Sequence, residues 1–94
     1  MNTMTKEEAR NEANEIVDFL FDKLKDASEK GPDHVLHFLT ASSFALGSVV
    51  AIAVDDPAGI GPILSMSIDK MTDGLQSGMQ AKGMSGTFLK IVKD

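Results

Sequence analysis

The chain has 94 residues, no cysteine, tryptophan or tyrosine, and a formal net charge of −5. The missing thiols exclude a disulfide framework, a thiolate metal site and a cysteine nucleophile. An acidic balance without any basic run disfavours direct binding to nucleic acid, which needs Lys and Arg against phosphate.

Residues 1–8 are polar, with Lys6, Glu7 and Glu8 where a secretory leader needs its apolar run. That predicts an intracellular, cytoplasmic protein. Thr5-Lys6-Glu7-Glu8 reads as a capping box, in which the Thr5 hydroxyl accepts from an orphan N–H and Glu8 returns the bond. A helix over about 6–29 follows. Ala9, Ala13, Ile16, Leu20, Leu24 and Ala27 recur at helical spacing and form its apolar stripe. Opposite that stripe the acids are sorted. Glu7, Glu8, Glu12, Glu15, Asp18, Asp22, Asp26 and Glu29 fall within roughly 140° at ~100° per residue. The plain reading is a solvated outer face. The sharper one is an acidic ridge that docks a basic protein, with Glu15, Asp18, Asp22 and Asp26 as its binding residues; Lys23, Lys25 and Lys30 partly neutralise it.

Gly31-Pro32 ends this helix and lets Pro32 open the next, with Asp33 near the positive end of the helix dipole. The second helix is expected over about 32–54, where Asp55-Asp56-Pro57 closes it. Residues 35–54 carry no formal charge. They are apolar nearly all round, the mark of a core helix or a membrane span. Length admits a span. Thr40, Ser42, Ser43, Ser48, Gly47 and His37 lower the hydrophobicity, acids flank both ends, and no aromatic belt is present. A buried helix in a soluble protein is the preferred expectation.

Residues 56–62 hold two Pro and two Gly, a turn. A third helix over about 62–80 then carries Leu64, Ile68, Met71, Leu75 and Met79 as a single stripe. Gly74 and Gly78 lie beside it, four apart, as in a close helix contact or a weak helix end. Residues 83–94 are expected as a short helical or extended segment, with Ser85 as a candidate cap.

These elements give an all-α fold: one domain over 1–94, a small bundle of three main helices with the central one buried. Two helices and a tail cannot enclose a third, so a homo-oligomer is expected, a dimer most simply. The stripe Leu64, Ile68, Met71, Leu75 and Met79 is its candidate self-association face, and methionines make such a face adaptable.

Chemistry is sparsely marked. His34 and His37 stand one turn apart beside Asp33, but no HExxH pattern or clear third ligand accompanies them, so no metal is assigned. Ser42 and Ser43 lie mid-helix, where a hydroxyl bonds back to a carbonyl one turn earlier, and no base is announced beside them. Gly59-Ile60-Gly61-Pro62 lacks the Lys-Ser/Thr of a nucleotide loop. The sequence therefore predicts no enzyme and no cofactor. It predicts a helical interaction protein, an adaptor, regulator or inhibitor acting as an oligomer. The alternatives are a single-span membrane protein of holin-like type, and a carrier of an apolar ligand between helices through Phe38, Phe44, Met71 and Met79.

Overall fold

The computed structural model describes residues 3–83. They form three α-helices, α1 (Lys6–Lys30), α2 (Pro32–Ala53) and α3 (Ile60–Ala81), with a single 3-10 turn at Pro57–Gly59. No strand occurs among the described residues. The all-α class expected from hydrophobic spacing is what the chain adopts. The expected tail segment, from Met84 onward with Ser85 as its cap, lies outside the described residues.

The chain divides into two units, Met1–Ala45 and Leu46–Asp94, with the division inside α2. In the first unit, α1 opens with the capping box read from the sequence. The Thr5 hydroxyl accepts from the Glu8 N–H at 3.0 Å, and the Glu8 carboxylate accepts from the Thr5 N–H at 3.4 Å. The helix stops because Gly31 turns the chain at φ +128°, a conformation side chains resist. The Gly31 N–H donates to the Ala27 carbonyl at 3.1 Å, while its own carbonyl accepts from His34 and Val35 at 3.1 and 3.2 Å. One residue thus closes α1 and opens α2. Beyond that corner, α1 and the first part of α2 do not pack side by side.

In the second unit, α2 runs to Ala53 and the chain turns sharply. The Asp56 carboxylate accepts from the Ala58 N–H at 3.0 Å, and its carbonyl accepts from the Gly59 N–H at 2.8 Å. This Asx turn feeds the 3-10 turn directly into α3. The third helix consequently starts at Ile60, two residues before the proline that marked its expected beginning. Pro62 still falls in the first turn, where its missing N–H costs nothing. At the other end Gly83 takes φ +71°.

Burial is slight. Ala27 and Val50, at 8% and 7% exposure, are the buried apolar side chains among the described residues. The second helix, expected to be buried in the assembly, is largely exposed among the described residues. Phe44 is 79% and Ile52 82% exposed. Within each unit, among the described residues, no other helix packs along the part of α2 that belongs to it.

Candidate interaction surface

The uncovered surface of α2 is the most distinctive feature of the molecule. Leu36, Leu39, Phe44, Leu46, Val49 and Ile52 are all exposed. Projected at ~100° per residue, they leave no gap wider than about 80° around the helix. A surface helix keeps one apolar stripe and one polar face. This helix is apolar around its circumference and meets solvent on it.

Two hydroxyls of α2, those of Thr40 and Ser43, are turned inward to its backbone. Thr40 Oγ1 donates to the His37 carbonyl at 3.0 Å and Ser43 Oγ to the Leu39 carbonyl at 2.8 Å. Back-bonding of this kind is what a mid-helix Ser or Thr does without a better partner. It ties up the Ser43 proton, and the surface of α2 is more apolar than its composition suggests.

Two hollows flank the corner at Gly31. One, of about 450 Å³, is lined by Ser28, Gly31, Pro32, Val35, Leu36 and Leu39, and is nearly all apolar. The other, of about 270 Å³, gathers Lys23, Asp26, Lys30, His34, His37 and Phe38 over Ala27 and Ala41. Neither was visible in the hydrophobic periodicity of either helix alone. The signals that could have found the second were the seven-residue spacing of Lys23 and Lys30, two turns of one helix, and the imidazoles one turn apart across the glycine corner.

The four expected partner-binding acids, Glu15, Asp18, Asp22 and Asp26, are all exposed. Among the described residues none of them forms an ion pair. Asp26 lines the second hollow with Lys23 and Lys30. The candidate self-association residues share one face of α3. Leu64, Met71 and Leu75 are exposed, whereas Ile68 and Met79 are half-buried. Gly74 and Gly78 have open space where a Cβ would stand, so among the described residues they make no close contact. Of the candidate ligand-carrying residues, Phe38 is half-buried in the first unit and Phe44 is exposed there, while Met71 and Met79 belong to the second.

His34 and His37 line the same hollow, yet among the described residues no group of three or more His, Asp or Glu is placed to hold a metal ion. Lys70 and Asp73 form an exposed ion pair at 3.7 Å on α3, of the kind that contributes about 0–1 kcal/mol. The chain matches no family model, no curated protein and no solved structure.

Proposed function

We propose that this is a small, non-enzymatic helical interaction protein that acts as an oligomer, a dimer most simply. In that assembly a second copy completes a helical bundle around α2 and buries it. The observation that carries the reading is the ring of exposed side chains on α2. Burying a Leu, Ile or Phe side chain is worth about 1.5–3 kcal/mol. The six ring residues together offer on the order of 10 kcal/mol. That is the size of the freedom lost on association, about 4–15 kcal/mol, so additional apolar area from the α3 face Leu64, Ile68, Met71, Leu75 and Met79 is needed for a stable dimer.

The acidic face gives such an assembly a second use. Glu15, Asp18 and Asp22 have no cation of their own to satisfy, and an acidic surface steers a basic partner and speeds encounter. An adaptor, regulator or inhibitor would work in this way, by occluding the partner it docks. Charge reversal of those three residues to Lys is expected to weaken binding of a basic partner at low salt and leave self-association intact. An unchanged partner affinity would remove the ridge from the account.

The direct test of the oligomer is the double variant Phe44→Glu/Ile52→Glu. It should dissociate to monomer while keeping its helical circular dichroism. Retained assembly would exclude α2 as the interface.

A second reading rests on the same helix. The 22-residue helix Pro32–Ala53, whose most apolar 18-residue window has a mean hydropathy of 1.8, rises about 33 Å at 1.5 Å per residue, matching a bilayer's ~30 Å core. The back-bonded Thr40 and Ser43 hydroxyls reduce the cost of placing them in lipid. Under this reading the chain is a single-span, holin-like protein, and it would partition into detergent and resist carbonate washing.

A further inference from the structure

The hollow at the inside of the Gly31 corner combines features that a solvated surface does not need. Its floor is apolar, made by buried Ala27, half-buried Phe38 and exposed Ala41. Its rim carries Lys23, Lys30, His34 and His37. Those four include both imidazoles of a chain with nine Lys and Arg and two His, and they gather in one place on a molecule of net charge −5. Among the described residues, Lys30 and the two imidazoles have no hydrogen-bond or ion-pair partner for their side chains. Lys23 holds its ammonium 5.6 Å from the centre of the Phe19 ring, within the range of a cation–π contact.

We propose that this hollow binds a small carboxylate with an apolar body, an aromatic or short aliphatic acid. The charge count selects the ligand. Two ammonium groups against the Asp26 carboxylate leave one surplus positive charge, which suits a monoanion better than a phosphate dianion. The imidazoles of His34 and His37 supply N–H donors in either protonation state. The apolar floor receives the ring or chain, and charge-assisted bonds from Lys23 and Lys30 fix the carboxylate. The site requires the side of α2 that carries His34, His37, Phe38 and Ala41 to stay open when the rest of the helix is covered.

The test is a titration of the 15N-labelled full chain with sodium benzoate, followed by amide chemical shifts. Saturable shifts are expected at residues 23–30 and 34–41, with a Kd on the order of 1 mM for so small a ligand. Hexanoate should bind at the same residues. Benzyl alcohol, which keeps the ring and loses the charge, should bind about tenfold more weakly or not at all. The variant Lys23→Gln/Lys30→Gln should weaken benzoate by about tenfold, while Lys25→Gln, outside the hollow, should leave it unchanged; circular dichroism of each variant checks that the helices persist. Any of three results overturns the proposal: no saturable shift up to about 20 mM, some twentyfold above the expected Kd, equal binding of benzyl alcohol, or tighter binding of inorganic phosphate than of benzoate.

Discussion

Gly31 concentrates more structural work than any other residue. It caps α1 through its N–H, receives two N–H groups of α2 on its carbonyl, and holds φ at +128°. An alanine Cβ at this position would meet no neighbour, so the cost of Gly31→Ala is backbone strain alone, about 1–3 kcal/mol. Thermal unfolding of that variant should show a clearly lowered Tm; an unchanged Tm would mean that the corner is not held as described. The dipeptide Gly31-Pro32 was legible in the sequence as a stop followed by a start, because each residue has one strong backbone preference. The hollows on either side of the corner were not legible. They depend on the direction in which α2 leaves Gly31, and no residue type encodes that by itself.

At the scale of elements, helix boundaries followed local chemistry closely. Thr5 and Glu8 announced the start of α1, and the structure makes both of their bonds. The start of α3 was displaced from Pro62 to Ile60 because the Asp56 side chain caps the turn ahead of it. Asp56-Pro57 marks the end of α2 in the sequence, and the same Asp56 side chain also caps the turn that follows. The glycine pair on α3 has a clear consequence. Gly74 and Gly78 sit at helical positions with nothing near their missing Cβ atoms. Replacing both with alanine should raise the stability of α3 by about 1 kcal/mol per site, seen as greater helicity and a higher Tm. If the pair instead marks where a second copy approaches closely, the same variant will gain helicity and lose assembly. Circular dichroism and sedimentation on one sample separate these two effects.

For the whole molecule, composition pointed to the central tension and could not resolve it. A run of 20 uncharged residues, 35–54, in an acidic chain of 94 demanded a cover. The sequence suggested burial by α1, α3, the tail and a second copy, since a helix apolar all round belongs in a core. The structure leaves Phe44, Ile52 and their neighbours open. Periodicity reports which residues seek burial, whereas coverage depends on long-range packing that one chain need not supply. The candidate site divides along the same line. The acids of α1 and the stripe of α3 were readable because each lies on one helix. The cationic hollow was missed because it is assembled from two.

The most direct measurement is the solution mass of the full chain, by sedimentation equilibrium without detergent across a range of concentrations. The account predicts a discrete species of twice the 10.0 kDa chain mass or a higher multiple, in reversible exchange with monomer on dilution. A monomer of 10.0 kDa that stays soluble and fully helical at every concentration would contradict it.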